Sequence, residues 1–250
     1  MPKRRTRGIV VGMDLRFVLV EPAVPENVGS AARALKTMGF HELALVNTRV
    51  HREAKACWTA HGSKDILEGA KEFATLGEAI QDIDFVVATT ARRRTLHHDY
   101  YDPPALRELL QKKEGIVRKT ALLFGREESG LTNAELESAH CLSSVPLAAQ
   151  YPSLNLAQAV MVYAYELSPL RSTESSSTGT SPFLVYSALR RRVEILLYRI
   201  GFSPDNLVGK RLVERLALLS GSDLRLVHSL CARLEKYLSN VEEHTGGYPE

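Results

Sequence analysis

The first two thirds of the chain repeat one pattern: a short, nearly continuous run of apolar residues, then a polar turn, then a segment with helical spacing. A strand that is buried on both faces produces such a continuous run, whereas a half-exposed strand alternates apolar and polar positions. Strands and helices alternate in this way from residue 15 to residue 167. This order predicts an α/β fold, with a mostly parallel sheet covered by helices on both faces. The runs that predict strands are 15–20, 42–47, 84–90, 120–124 and 141–147.

The pattern changes after Leu167. Residues 168–181 are rich in Ser, Thr, Gly and Pro and have few apolar side chains, which predicts a linker. Leucines then recur at helical spacing over 182–245, which predicts a small extension of three helices. Residues 1–13 are basic and predict a flexible arm. The main domain is therefore expected to span 14–167.

The last predicted helix of the main domain, residues 154–167, is apolar on nearly every face. A helix at a protein surface shows one apolar stripe instead. We therefore expect this helix to be covered on two sides, by its own sheet and by another surface such as a second copy of the chain. Ser153, directly before it, is a residue type that favours the N-cap position.

Composition narrows the classes of protein. Apolar residues make up 44% of the chain, enough for a core, and the net charge of +3 is too small to indicate nucleic-acid binding by itself. Cys57, Cys141 and Cys231 lie far apart, which predicts no metal site and favours a reducing cytoplasm. No apolar run is long enough to predict a membrane span. The single tryptophan, Trp58, is expected to anchor the core or an interface.

Glycines and polar residues cluster in loops that follow predicted strands: 27–33 (NVGSAAR), 124–131 (FGREESGL) and 153–157 (SLNLA). Because the carboxyl ends of parallel strands share one edge of a sheet, we expect these loops to lie close together. A fourth loop, 89–94 (TTARRR), carries three arginines suited to phosphate. Each loop also has a purely structural interpretation, as helix caps, turns and solvated charges, and the residues alone leave both interpretations open.

The sequence lacks the motifs that identify several common classes of enzyme. The first strand is not followed by G-x-G-x-x-G, and no Gly-Lys-Ser/Thr phosphate loop occurs, which argues against a nicotinamide dehydrogenase and an NTPase. No Ser/His/Asp arrangement or metal-ligand spacing is evident either.

Taken together, the loops at 27–33, 124–131 and 153–157 resemble, in order and spacing, the three signature motifs of the SPOUT RNA methyltransferases, and most closely those of the TrmH-like 2′-O-methyltransferases. The resemblance covers about residues 14–167. The helical tail and residues 89–94 also resemble the bacterial tRNA (cytidine/uridine-2′-O)-methyltransferases. The sequence departs from many relatives at Ala148-Ala149, where Asn-Pro is common, so the resemblance does not predict the shape of the loop before Tyr151.

The resemblance implies a sheet that ends in a trefoil knot, a homodimer joined through the knot helices, and no metal. It also implies that S-adenosyl-L-methionine binds in the knot. By motif position, the residues that line the cofactor pocket are Thr89, Thr90, Ala91, Gly125, Val145, Leu147, Pro152, Ser153 and Leu154.

The implied reaction is methylation of a ribose 2′-hydroxyl in tRNA, with the cytidine or uridine at the start of the anticodon loop as the expected target. Arg33 would orient the hydroxyl and a neighbouring phosphate or act as the base, supported by Asn27. Glu127 would fix the local geometry, and Ser153 and Asn155 would hold the hydroxyl or the cofactor.

The resemblance also implies that Arg92 and Arg94 grip the RNA backbone. Two alternatives remain at this point. One is the same reaction on ribosomal RNA, and the other is an RNA-binding relative that has lost catalysis.

Overall fold

The computed structural model describes residues 12–91, 99–114, 116–148, 153–171, 182–203, 206–216, 219 and 221–245. The chain forms two compact units, Met1–Thr178 and Gly179–Glu250. The domain, linker and arm boundaries expected from the sequence stay predictions.

A parallel sheet is the centre of the first unit. Among the described residues it has seven strands in the order β3-β2-β1-β6-β4-β7-β5, and each pairing of neighbours is parallel. The predicted α/β class is thereby confirmed. The strands are β1 (Asp14–Val20), β2 (Leu43–Val46), β3 (Lys71–Phe73), β4 (Phe85–Thr89), β5 (Tyr100–Tyr101), β6 (Lys119–Phe124) and β7 (Cys141–Ser143).

Helices connect these strands and also form the second unit. The helices of the first unit are α1 (Pro25–Met38), α2 (Ala54–Thr59), α3 (Lys64–Glu68), α4 (Leu76–Ile80), α5 (Pro103–Lys112), α6 (Asn133–Glu137) and α7 (Leu156–Leu167). The second unit consists of α8 (Pro182–Arg199), α9 (Leu207–Leu216) and α10 (Gly221–Thr245), and an ion pair between Arg192 and Glu235 joins α8 to α10.

Successive strand residues point to opposite faces, and both faces are buried. On one face, Val18 and Leu123 belong to a cluster that includes Leu136 of α6. On the other, Phe124 meets the ring of Tyr163 in α7 edge-on, with centroids 5.7 Å apart. This double burial explains why the strands are continuous apolar runs in the sequence.

Strands β3 and β5 are not predicted by the sequence pattern, and β7 is shorter than the predicted strand 141–147. The two missed strands have three and two residues, too few to show a period. Strand β7 ends at Ser143, where its pairing with Tyr101 of the short β5 also ends. A 3-10 turn, Val50–Arg52, precedes α2.

The trefoil knot stays a prediction, since residues 149–152, which connect β7 to α7, lie outside the described residues. None of the helices described is both long and apolar enough to cross a membrane.

Helix α1 crosses α2 at a very short distance, which only glycine permits. A Cβ atom built on Gly29 would lie 2.1 Å from both the carbonyl oxygen of Ala56 and Oγ1 of Thr59. We therefore predict that Gly29→Ala lowers the free energy of unfolding by about 1–3 kcal/mol, the usual cost of overpacking. Urea denaturation measures the change. The matched control is Gly77→Ala in α4, where the nearest atom to a new Cβ is 4.0 Å away; equal stability of the two variants would contradict the prediction.

Candidate active site

A cleft of about 480 Å³ opens at the carboxyl edge of the sheet, between the loops after β4, β6 and β7 and the start of α7. Eight of the nine residues predicted to contact the cofactor line it. The ninth, Pro152, lies outside the described residues. The eight lining residues are Thr89, Thr90, Ala91, Gly125, Val145, Leu147, Ser153 and Leu154.

The floor of the cleft includes Tyr163, whose ring is buried. Its hydroxyl donates to Oγ of Ser143 at 2.9 Å, and the hydroxyl of Ser143 in turn donates to the carbonyl of Tyr101 at 2.8 Å. Burial raises the pKa of Tyr163, so the phenol stays protonated at neutral pH. Tyr163 therefore shapes the cleft and is not available there as a base.

The loop of residues 125–131 folds back on itself. The N–H of Gly130 donates to the carbonyl of Arg126 at 2.9 Å, and a Cβ on Gly125 would lie 2.2 Å from the carbonyl carbon of Gly130. From the sequence, Gly125 is predicted only as a residue that lines the cofactor pocket. The structure adds that loop closure by itself requires glycine here.

Arg126 holds this loop in place, a role that the sequence analysis missed. Its Nε donates to Oε2 of Glu21 at 2.7 Å, and its Nη1 and Nη2 donate to the carboxylate of Glu135, each at 3.1 Å. Bonds from Arg126 and Asn47 hold the pKa of Glu21 below its ordinary value. Glu21 also has a φ of 47°, a conformation that non-glycine residues rarely adopt. The arginine therefore connects the end of β1 to the first turn of α6.

Glu127, the next residue, points the other way, to the start of α1. Its Oε2 accepts from the N–H of Ala23 at 3.0 Å, and its Oε1 accepts from the N–H of Val24 at 3.2 Å and from Nδ2 of Asn27 at 2.9 Å. Helix α1 has no side-chain cap of its own, so this carboxylate satisfies donors that would otherwise be unpaired. Burial alone would raise the pKa of Glu127, but these hydrogen bonds lower it, and the carboxylate stays ionised at neutral pH.

Asn155 continues this hydrogen-bond chain. Its Nδ2 donates to Oδ1 of Asn27 at 2.7 Å, and its Oδ1 accepts from the N–H of Ala157 at 2.9 Å. Asn155 is thus the N-cap of α7, in a capping box with Gln158. The expectation that Ser153 caps this helix is wrong, because α7 begins at Leu156 and not at residue 154. Ser153 is exposed and lines the cleft.

We call the hydrogen bonds from Glu127 through Asn27 to Asn155 the motif chain, because each residue belongs to a different one of the three loops. The loops were expected to lie close together, and the motif chain joins them directly.

Arg33 lies apart from the motif chain. It is exposed on α1, is not among the residues that line the cleft, and has no ion pair with any part of the chain that the structure describes. At 3.6 residues per turn, Arg33 is about 9 Å along the axis from Asn27 and about 120° around it. The side chains of Asn27 and Arg33 therefore leave α1 in different directions. Arg92 and Arg94 lie outside the described residues.

In the ranges that the structure covers, no three His, Cys, Asp or Glu side chains are grouped as a metal site. Cys57, Cys141 and Cys231 are free thiols.

Two family patterns match the sequence. The SpoU rRNA Methylase family matches residues 14–165, and the C-terminal domain of the tRNA/rRNA methyltransferase LasT matches residues 185–238.

Two curated relatives are similar along nearly their whole length. LasT of Escherichia coli K12, named an uncharacterized tRNA/rRNA methyltransferase, is 45% identical over 91% of this chain and 100% of its own. The tRNA (cytidine/uridine-2′-O-)-methyltransferase TrmJ of Salmonella typhimurium is 36% identical over 89% of this chain and 97% of its own.

Solved structures have the same fold. A probable methylase family protein from Haemophilus influenzae superposes with a TM-score of 0.61 at 29% identity, covering 92% of this chain and 99% of its own. The SpoU methyltransferase AviRb from Streptomyces viridochromogenes, in complex with the cofactor AdoMet, superposes with a TM-score of 0.51 at 26% identity, covering 68% of this chain and 62% of its own.

Two substitutions at Asn155 separate its two hydrogen bonds. Asn155→Ala removes the helix cap, so we predict a loss of about 1 kcal/mol in the free energy of unfolding. Asn155→Asp keeps the cap acceptor but cannot donate to Asn27, so we predict stability within about 0.5 kcal/mol of the original chain. Urea denaturation measures both, and an alanine variant as stable as the aspartate variant would exclude Asn155 as the cap.

Proposed function

The chain belongs to the SpoU rRNA methylase family, and we propose that it transfers a methyl group from S-adenosyl-L-methionine to a ribose 2′-hydroxyl of tRNA. The observation that carries this proposal is the motif chain at the cleft, which joins Glu127, Asn27 and Asn155. TrmJ of Salmonella typhimurium, which is named a tRNA (cytidine/uridine-2′-O-)-methyltransferase, supports the choice of substrate. The expected target is the cytidine or uridine at the start of the anticodon loop, and the cytoplasmic location stays a prediction.

The cleft fits the proposed cofactor. Its volume of about 480 Å³ lies within the usual range of small-molecule sites. Apolar side chains such as Leu131 and Leu156 form part of the wall, and the folded loop 125–131 forms another part with its backbone. When bound, S-adenosyl-L-methionine supplies a methyl group that is already activated as a sulfonium, so the protein need not create an electrophile.

The remaining task of the protein is to align the 2′-hydroxyl and help it to lose its proton. We assign the grip on the hydroxyl and its neighbouring phosphate to Arg33, whose guanidinium stays charged and does not serve as the base. Ser153 is exposed at the cleft, where its hydroxyl can hold the ribose or the cofactor. Asn27 and Glu127 hold the first turn of α1 in a fixed position, and Arg33 lies about 9 Å further along the same helix.

Ribosomal RNA is the second candidate substrate. LasT, which is 45% identical, has both tRNA and rRNA in its name. A relative without catalysis is disfavoured, because all five residues of the implied catalytic set are present. Incubation with labelled cofactor and, in parallel, total tRNA and ribosomal RNA tests the choice, followed by mass-spectrometric mapping of the modified nucleotide. A methyl group on a base would overturn the proposed reaction.

We predict that Arg33→Ala lowers methyl transfer about 100-fold or more, because the substrate hydroxyl loses its alignment. Cofactor affinity, measured by calorimetry, should not change, since Arg33 does not line the cleft. Arg33→Lys keeps the charge but loses the bidentate geometry, so its activity should lie between that of the native chain and that of the alanine variant. Full activity in the alanine variant would remove Arg33 from the reaction.

Helix α7 supports the proposed homodimer. Its inner face is buried, with Val160 and Ala164 both fully covered. Its outer face carries Met161, 37% exposed, and Tyr165, 67% exposed, one turn apart. The sequence analysis expected this helix to be covered on two sides, and we propose that a second copy covers the outer face.

We predict that Met161→Glu shifts the protein from dimer to monomer, because a charge would have to be buried between the copies. Sedimentation velocity measures the shift. The control is Gln81→Glu, also exposed but next to α4, which packs on the opposite face of the sheet. A native chain that is monomeric, or a Met161→Glu variant that stays dimeric, would rule out this interface.

A further inference from the structure

Trp58 is exposed where an ordinary structural role would bury it. It is the single tryptophan of the chain, and 73% of its surface is accessible on α2. Of the two roles expected for Trp58, the core anchor is therefore wrong, and the interface anchor stays a prediction. Helix α2 instead packs through Ala56, which is fully buried against Gly29 of α1. The fold does not need an indole at this position, so a reason for it has to be sought outside the core.

The surface around Trp58 carries polar and charged side chains and not a broad apolar patch. The positions three residues away are Lys55 and His61, both exposed, and exposed Lys64 begins the next helix. The nearby carboxylate of Glu26 is paired with Lys55 at 3.4 Å. The core of a protein–protein interface needs a broader apolar area than one ring. One exposed ring among cations is instead the arrangement by which proteins stack unpaired bases and hold the phosphates beside them.

The position of Trp58 fits an RNA that enters the cleft. Oγ1 of Thr59 donates to the carbonyl of Glu26 at 3.1 Å, so α2 lies against the first turns of α1. Asn27, in the same turn, reaches the motif chain on the other flank of that helix. The two flanks are separated by about one helix diameter, 10–12 Å. The exposed stripe that contains Arg33 runs between them.

We propose that Trp58 stacks on an unpaired base of the RNA substrate, whose backbone crosses the exposed stripe of α1 towards the cleft. This inference rests on the proposed function, since it takes RNA as the substrate. The base is held by its face, so the contact tolerates any base and contributes affinity more than sequence choice. Exposed Arg33 and Lys64 supply positive charge for the phosphates.

The native chain provides the first test, because Trp58 is its only indole. Titration with total bacterial tRNA should quench the tryptophan fluorescence along the same curve as binding measured by anisotropy of labelled tRNA. Methyl transfer to the same tRNA, assayed in parallel, tests the proposed function separately. Transfer without quenching would overturn the role of Trp58 and leave the function standing. Quenching without transfer would keep the stacking contact and remove the proposed reaction.

Two substitutions identify what Trp58 contacts. Trp58→Leu keeps an apolar side chain but has no aromatic face, and it should weaken tRNA binding about 10-fold. Trp58→Phe keeps a face and should recover most of that affinity. Cofactor affinity by calorimetry and the sedimentation coefficient should be unchanged in both. Equal tRNA affinity of the leucine variant and the native chain would overturn the proposal, and so would a change in oligomeric state, which would show that a second copy covers Trp58.

Discussion

The site depends on the hydrogen bonds that the carboxylate of Glu127 accepts from the start of α1. Helix α1 begins with Pro25 after Val24, and neither residue can cap it with a side chain. The carboxylate of Glu127, from a loop at least 100 residues away in sequence, accepts hydrogen bonds from Ala23, Val24 and Asn27 instead. An anion at this end of a helix also faces the positive end of its dipole. The start of α1 and the loop after β6 therefore cannot move independently.

The neighbouring arginine makes this anchor effective. Arg126 and Glu127 are adjacent, carry opposite charges and bind in different directions: the arginine to Glu21 and Glu135, the glutamate to α1. Burial opposes ionisation of Glu135, yet bonds from Arg126 and from the backbone N–H of Thr132 hold its pKa below the ordinary value. A loop that is held from both sides keeps its backbone in one arrangement without a ligand. Such preorganisation reduces the ordering cost of binding.

The sequence predicted those features that arise from local patterns. Continuous apolar runs predicted the long strands, and the parallel topology predicted that loops 27–33, 124–131 and 153–157 meet. Local patterns do not identify partners that are distant in sequence, which is why the pairing of Arg126 with Glu21 was missed. The cap of α7 differs from the prediction for another reason: Ser153 and Asn155 are both favourable N-cap types, and only Asn155 has Gln158 three residues later to complete a capping box. The exposure of Trp58 depends on how α2 crosses α1, which composition does not specify.

Helix α1 connects the two halves of the proposed reaction. One flank of its first turns carries Asn27, which is fixed to the cofactor cleft through Glu127 and Asn155. The other flank packs on α2 through Gly29, and that contact determines where Trp58 stands. Arg33 lies on the stripe between them, so its position relative to the cleft depends on the same anchored first turn. A helix that is fixed at its start and packed without a gap on one side can position an RNA backbone against the cleft as a rigid element. Under the proposed function, the hydrogen bonds from the start of α1 to Glu127 therefore help to align the RNA and its hydroxyl.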